Sequence, residues 1–102
     1  MFSKGGMLKK AQEMQKKMVE LQNEISSLEV EGSASGDMVV AKVSGDKKII
    51  SIKIHDDIMS EDKEMLQDMI LVAINQAIEN VDKISKEKMG SLTGGMNIPG
   101  MF

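Results

Sequence analysis

The sequence predicts an α+β domain in the order helix, three strands, helix (α-β-β-β-α). Three observations indicate this fold: a heptad-spaced apolar stripe in the first third, period-two β-branched runs in the middle, and a long helical pattern in the last third. The chain of 102 residues is long enough for one small hydrophobic core. We therefore expect a single domain over residues 1–90, followed by a flexible, glycine- and methionine-rich tail over residues 91–102.

The first predicted helix covers about residues 7–28 and follows Gly5-Gly6. Its apolar residues recur at alternating steps of four and three: Met7, Ala11, Met14, Met18, Leu21, Ile25 and Leu28. This period of 3.5 is typical of the a/d seam of a coiled coil and is narrower than the apolar face of a core helix. We therefore expect a second helix to pack along the first.

Residues 29–55 have the alternation of half-buried strands. One run is Val39, Ala41 and Val43, and another is Ile50, Ile52 and Ile54. Gly45-Asp46 between these runs predicts a two-residue type II′ hairpin, and residues 29–31 predict a short edge strand before a turn at residues 32–36. Three strands do not make a core alone, so we expect helices to cover the sheet.

The second predicted helix covers about residues 61–89, with Ser60 as its N-cap and acidic residues in its first turn. Residues 69–74 are apolar on every side, which predicts that this stretch is buried all round. The residues expected in dimer or helix packing are Met69, Ile70, Val72, Ala73 and Ile74.

A three-stranded sheet covers only part of such a helix and leaves strand edges open. A second copy of the chain closes both surfaces, and two-fold dimers are the commonest oligomers. We therefore predict a homodimer.

Charge is segregated along the chain, although the net charge is only −3. Residues 1–17 hold five lysines and one glutamate, whereas residues 18–82 hold five lysines and fourteen acids. If the two helices pair antiparallel, both basic ends lie at one tip and their lysines converge there. These residues are Lys4, Lys9, Lys10, Lys16, Lys17, Lys83, Lys86 and Lys88. The alternative is an ordinary solvated helix face, with the last lysines complementing the helix dipole.

Catalytic and metal-binding chemistry is not predicted. The chain has no cysteine and one histidine, His55, and its acidic residues lack the ligand spacing of a calcium loop. Its glycines lack the Gly-Lys-Ser/Thr ending of a phosphate loop. We expect no enzyme activity, no cofactor and no small-molecule substrate. The chain contains no run of 18 apolar residues, so we expect no membrane span and a cytoplasmic location.

Duplex DNA is the partner that the lysines favour. The chain has no tryptophan or tyrosine and carries phenylalanine only at Phe2 and Phe102, which disfavours stacking on single-stranded bases. Lysines neutralise backbone phosphates without reading sequence. The alternative function is a protein-interaction adaptor or chaperone-like clamp, which the acidic middle, the methionine-rich seam and the absence of arginine favour.

Several short motifs together resemble the YbaB/EbfC family of bacterial nucleoid-associated proteins, over essentially the whole chain in order. They are Met1-Phe2, Gly5-Gly6-Met7, the segment Ala11-Gln12-Glu13-Met14-Gln15-Lys16-Lys17-Met18, Glu29-Val30-Glu31-Gly32, residues 62–70, Asn75-Gln76-Ala77, Lys88-Met89, Thr93-Gly94-Gly95 and Pro99-Gly100-Met101-Phe102.

The resemblance implies a tweezer-like α/β homodimer that binds DNA through its helical arms, associates with the nucleoid and influences gene expression. On this chain, the binding surface of the implied arms maps onto the eight lysines named above. The chain departs from the family pattern in having no arginine, which weakens bidentate contacts to phosphate or guanine. It also has a less glycine-rich turn at residues 33–36 and no Asp-Pro after the third strand.

Overall fold

The computed structural model describes the backbone of residues 3–92 and the side chains of residues 6–92. The elements are α1 (Ser3–Ser26), β1 (Glu29–Ala34), β2 (Val39–Ser44), β3 (Ile49–Ile54), a short 3-10 helix (Asp56–Ile58) and α2 (Lys63–Leu92). The predicted α-β-β-β-α order is confirmed, and the 3-10 helix is an element that the sequence pattern did not predict.

Helix α1 begins four residues before its predicted start and includes Gly5 and Gly6. Glycine costs about 1 kcal/mol relative to alanine inside a helix, and the strong helix formers that follow offset this cost. The helix ends at Ser26 rather than at Leu28. Leu28 lies in the connection to β1 and packs against the core from there.

The sheet is antiparallel in the order β1-β2-β3. Strand β1 is six residues long, so Gly32, Ser33 and Ala34 belong to the strand and not to the predicted turn. The turn lies at residues 35–38, where Ser35, Gly36 and Asp37 all have positive φ angles of 52°, 62° and 70°.

The prediction of a type II′ turn between β2 and β3 is wrong, because the positive φ (65°) falls at Lys47 and not at Gly45. The Ser44 carbonyl accepts a hydrogen bond from the Lys47 amide at 2.9 Å. The hairpin loop therefore consists of three residues, 45–47, and the last of them, Lys47, has a left-handed conformation. The Ser44 hydroxyl donates to the Asp46 carboxylate, and this bond holds the pKa of Asp46 below its usual value.

Gly45 serves a tertiary contact instead. A Cβ atom at this position would lie 1.5 Å from the Ile25 carbonyl oxygen, so no larger residue fits against the end of α1. The Gly45 amide also donates to the Leu28 carbonyl at 3.0 Å. The hairpin turn therefore fixes the point where α1 leaves the sheet.

Helix α2 lies on β1 and β2 in close contact with the β1 backbone. A Cβ atom on Gly32 would lie 2.2 Å from the Ala77 amide nitrogen and 2.5 Å from the Ala73 carbonyl oxygen. Ala73 and Ala77 are completely buried, as is Ala41 opposite Gly32 on β2. Small residues on both elements thus bring the helix and strand backbones together.

The core has two clusters beneath α2. One is formed by Ala34, Val39, Ala41, Ile58 and Ala73, with Met69, Ile70 and Ile74 among the partly buried residues packed against it. The other is formed by Val30, Val43, Ala77 and Val81, with Leu28 and Ile84 against it.

Residues 69–74 are only partly covered within one chain, as expected for a helix packed on a three-stranded sheet, and their burial on the other side by a second copy stays a prediction. Leu71 is 57% exposed and Val72 is 55% exposed, because the sheet covers only one side of the helix.

The N-cap of α2 is Asp62 and not Ser60. The Asp62 Oδ1 atom accepts hydrogen bonds from the amides of Glu64 at 2.8 Å and Met65 at 3.2 Å, which satisfies two free donors of the first turn. The preceding 3-10 helix is capped by His55, whose Nδ1 accepts from the Asp57 amide at 3.1 Å. Helix α2 continues past the predicted end to Leu92, and the rest of the predicted tail, residues 93–102, lies outside the described residues.

Substitution of Gly32 by alanine is expected to destabilise the fold by about 3 kcal/mol, because the added methyl group meets backbone atoms that cannot move independently. Chemical denaturation followed by circular dichroism, at fixed protein concentration, measures the change. Gly6→Ala is the matched control: nothing lies within 4 Å of a Cβ there, so the same substitution should stabilise α1 by up to about 1 kcal/mol. Equal unfolding midpoints for the two variants would contradict the close approach of α2 to β1.

Candidate nucleic-acid interface

Helix α1 projects from the sheet as a rod that α2 accompanies over only part of its length. The two helices run antiparallel, and one groove between them is lined by Lys17, Glu20, Leu21, Glu24, Lys88, Ser91 and Leu92. The described end of α2 is therefore level with Lys17. Beyond that level, α1 continues for 14 residues to Ser3, a length of about 21 Å. The rod contributes to a long dimension of 73 Å for the chain.

The two lysine groups meet only at Lys17 and Lys88, which line one groove, and the predicted convergence at a single tip is wrong for Lys9 and Lys10. The Lys88 ammonium lies 2.8 Å from Glu24 Oε1, so this end of α2 sits beside the last third of α1. Lys9 and Lys10 lie 15 and 14 residues before Glu24, which places them at least about 21 Å farther along the helix axis. Most of α2 packs on the sheet, and the described part of α2 does not extend far enough beyond the sheet to reach the tip of α1.

Four lysines of the rod are exposed: Lys9, Lys10, Lys16 and Lys17. Lys9 and Lys16 are seven residues apart, as are Lys10 and Lys17, so each pair shares one side of the helix at a spacing of about 10 Å. Within residues 6–92, none of the four has an acidic group within ion-pair distance. Their ammonium groups are available to an external anion. The side chain of Lys4 lies outside the described residues.

The three lysines of α2 do not share one surface. Lys88 faces α1 and is engaged by Glu24, and its side chain is 30% exposed. Lys83 and Lys86 are exposed, and the helical repeat turns them about 140–160° away from Lys88. Lys83 and Lys86 therefore lie on the side of α2 away from α1.

The opposite end of the molecule is acidic. The groove lined by Ala34, Ser35, Met65 and Asp68 shows that the far end of β1 meets the first turns of α2. The acids near this end are Asp56, Asp57, Glu61, Asp62 and Glu64. Because α2 is 30 residues long, about 44 Å separates this end from the groove at Leu92. That distance is several Debye lengths at physiological salt, so the acids do not neutralise the α1 lysines.

The two edges of the sheet differ. On β1, the Ser33 amide donates to Gln76 Oε1 at 2.6 Å, and Asn80 Nδ2 donates to the Glu31 carbonyl at 2.9 Å. Both side chains come from α2 and cover the outer edge of β1. No residue among 6–92 covers β3 in this way, and Ile49, Ile50 and Ile52 are exposed there.

Three of these residues, Gln76, Asn80 and Glu24, are not predicted as contact residues by the sequence pattern. Gln76 and Asn80 are four residues apart on α2, a spacing that puts two amide side chains on one helix face next to a strand. Glu24 occupies a position flanking the α1 seam, where an interhelical ion pair is common. These spacings are visible in the sequence, but the strand and the lysine that they meet are visible only in the fold.

Within residues 3–92, neither α1 nor α2 has the length and apolar character needed to cross a bilayer. The same part of the chain contains no group of three or more histidine, cysteine or acidic residues arranged to hold a metal ion.

Comparison with solved structures supports the fold. The crystal structure of an uncharacterised protein from Helicobacter pylori superposes with a TM-score of 0.71 at 24% sequence identity, covering 92% of this chain and 98% of that chain. The likeness extends over the whole α-β-β-β-α arrangement and shows the fold alone.

Comparison with curated sequences is more specific. A nucleoid-associated protein of Alkaliphilus metalliredigens is 46% identical over 97 residues, covering 94% of this chain and 85% of the relative. A nucleoid-associated protein of Legionella pneumophila (strain Corby) is 44% identical, covering 93% and 85% respectively. One from Thermoanaerobacter pseudethanolicus is 40% identical, covering 99% and 92%.

The match to a family model agrees with the names of these relatives and with the resemblance seen in the sequence motifs. Residues 1–96 match the model of the YbaB/EbfC DNA-binding family. This is a family of architectural proteins without enzyme activity, as the sequence predicted for this chain. The chain belongs to the YbaB/EbfC DNA-binding family.

Proposed function

We propose that this protein is a nucleoid-associated protein that binds duplex DNA through the lysines of α1, mainly by phosphate contacts. The observation that carries the proposal is the row of exposed, unpaired lysines on a helix that projects from the sheet: Lys9, Lys10, Lys16 and Lys17. Membership of a DNA-binding family supports DNA as the partner. Nucleoid location and an influence on gene expression follow from the same proposal.

The chemistry of these side chains favours phosphate over base contacts. Lysine carries a point charge on a flexible stem and lacks the planar fork with which arginine reads guanine. Every basic residue of the chain apart from His55 is a lysine. Binding of this kind depends strongly on salt and weakly on DNA sequence.

A homodimer would present two such rods, as in the tweezer-like arrangement that the sequence resemblance implies. Its support is an apolar surface on the side of α2 away from β1. Leu71, Ile74 and Ile78 share one flank of the helix by their spacing, and the exposed isoleucines of β3 lie on the same side. A second copy related by a two-fold axis would bury this surface and cover the β3 edge.

The first prediction concerns the charge of the rod. The Lys10→Gln/Lys17→Gln variant should bind duplex DNA roughly ten-fold or more weakly at moderate salt, and its plot of log affinity against log salt should be shallower by about 0.9 for each phosphate that is no longer neutralised. Fluorescence anisotropy over a salt series measures both quantities. Lys53→Gln/Lys63→Gln removes the same charge from exposed lysines elsewhere and should leave the slope unchanged. Equal slopes in the two variants would refute the α1 interface.

The second prediction separates Lys88 from the other lysines. Because Glu24 already neutralises Lys88, Lys88→Gln should weaken DNA binding less than Lys17→Gln does, although both line the same groove. Glu24→Gln should release the ammonium and strengthen binding, steepening the salt slope by up to about 0.9. If Lys88→Gln and Lys17→Gln weaken binding equally, Glu24 does not restrain Lys88 in the complex.

The third prediction concerns the dimer. Wild-type protein should sediment as a dimer at micromolar concentration, and Ile52→Glu or Leu71→Glu should shift it to monomer by burying an unpaired charge in the apolar surface. Lys53→Glu, on the adjacent exposed position of β3, is the control and should remain dimeric. Monomeric wild-type protein at these concentrations would rule out this interface. Circular dichroism of each variant checks that the fold is retained.

A further inference from the structure

Glu13 lies at the centre of the exposed lysines of α1. Lys9 and Lys10 precede it by four and three residues, and Lys16 and Lys17 follow it by three and four. Residues at these spacings on a helix are neighbours, with about 5–6 Å between their Cβ atoms, so Glu13 adjoins all four lysines. Glu13 is exposed, and no lysine among residues 6–92 lies within ion-pair distance of its carboxylate. One unpaired carboxylate is therefore surrounded by four ammonium groups.

The helical repeat divides the four lysines into two rows. Lys9 and Lys16 lie about 40–60° from Glu13 on one side of the helix. Lys10 and Lys17 lie about 40–60° from Glu13 on the other side. This surface suits two lines of anions with a gap between them. A single line of phosphates directly over Glu13 suits it less well, because the carboxylate repels them.

The other faces of α1 carry no charge among the described side chains. The charged residues of α1 from residue 6 onward fall within a sector of about 120°: Lys9, Lys10, Glu13, Lys16, Lys17, Glu20 and Glu24. Glu24 is engaged by Lys88, and Glu20 lines the groove beside α2. A polyanion therefore meets the projecting part of α1 through one sector, and Glu13 lies at the middle of that sector.

The major groove of B-form DNA has a matching geometry. A helix is about 10–12 Å across with its side chains, and the groove is about 12 Å wide. Residues 9–17 span about 12 Å along the helix axis, the length of about four base pairs. With Glu13 facing the base pairs, each lysine row would lie beside the phosphates of one strand. The floor of the groove presents the N4 amino group of cytosine, a donor to which glutamate is a suitable acceptor.

We propose that α1 lies in the major groove of duplex DNA and that the Glu13 carboxylate accepts a hydrogen bond from a cytosine amino group. One lysine row contacts the phosphates of one strand, and the other row contacts the opposite strand. This inference rests on the proposed function, because it requires that the α1 lysines bind duplex DNA. It adds a preference for G·C pairs, with Glu13 as the specificity-determining residue. The alternative is a purely electrostatic role, in which Glu13 lowers the affinity for every duplex equally.

Substitution of Glu13 by glutamine separates these two roles. Glutamine has nearly the same shape without the charge, and in the major groove it pairs with adenine rather than with cytosine. Fluorescence anisotropy at one salt concentration measures the affinity for two duplexes of equal length, one of G·C pairs only and one of A·T pairs only. Relative to wild type, Glu13→Gln should shift the ratio of the two affinities toward A·T by about five-fold or more, the effect of one good base contact. Effects of DNA shape cancel in this comparison.

Glu79→Gln is the matched control. It removes the same charge from an exposed position of α2 and should leave the ratio unchanged. A Glu13→Gln variant that binds both duplexes more tightly by the same factor would establish the electrostatic role and overturn the base contact.

A modified duplex tests the groove directly. Glucosylated 5-hydroxymethylcytosine places a bulky group in the major groove, where substituents at C5 lie, and leaves the number of phosphates unchanged. Wild-type protein should bind a G·C duplex carrying this group on every cytosine roughly ten-fold or more weakly than the unmodified duplex of the same sequence.

The outcomes distinguish this inference from the proposed function. Equal affinity for the modified and unmodified duplexes, with a steep salt dependence for both, would refute the groove placement and leave binding through the lysines intact. Failure of the wild-type protein to bind any duplex at low salt would refute the proposed function and this inference together.

Discussion

The close approach of α2 to the backbone of β1 is the contact on which the rest of the structure depends. Gly32 has no side chain, and Ala73 and Ala77 have only methyl groups, so helix and strand meet at backbone distance. At that distance Gln76 and Asn80 reach the outer edge of β1 and satisfy its amide and carbonyl groups. A larger residue at Gly32 would lift the helix away and expose both core clusters and the strand edge together.

A second backbone contact orients the rod. Gly45 sits against the Ile25 carbonyl, and the Gly45 amide bonds to Leu28, so the β2–β3 hairpin holds the last turn of α1. The Lys88–Glu24 ion pair joins the two helices within this same last turn of α1. This exposed pair contributes at most about 1 kcal/mol, so the direction of α1 depends mainly on the buried Ile25 and on the hairpin.

Much of this fold could be predicted because the signals are local. The heptad spacing of α1 and the alternation of residues 39–43 and 50–54 depend only on neighbouring residues. The type II′ turn predicted at Gly45 is wrong because this glycine is required by its close contact with the Ile25 carbonyl of α1 and not by a positive φ angle. The exposure of Leu71 and Val72 in one chain is consistent with the predicted partial cover by the sheet, because an apolar pattern indicates that a surface is covered but not which chain covers it.

In the candidate site too, features that depend on neighbouring residues could be predicted, and features that depend on the whole fold could not. Exposure of Lys9, Lys10, Lys16 and Lys17 follows from their positions off the apolar seam. The separation of Lys9 and Lys10 from Lys88 does not follow from the sequence, because a heptad seam indicates that two helices pair but not how far each extends past the sheet. That offset depends on how much of α2 the strands occupy, which is a property of the whole fold.

The segregation of lysines and acids gives the elongated chain a large electric dipole along its 73 Å axis. In the field of a polyanion such as DNA, this dipole experiences a torque before any contact forms. In the complex with duplex DNA proposed above, the lysine-bearing end would turn toward the duplex and the acidic end away, so encounters would begin in the orientation that the proposal requires. Collisions in which the acidic end leads would be repelled, so electrostatic orientation would raise the rate of productive association without any contact to a base.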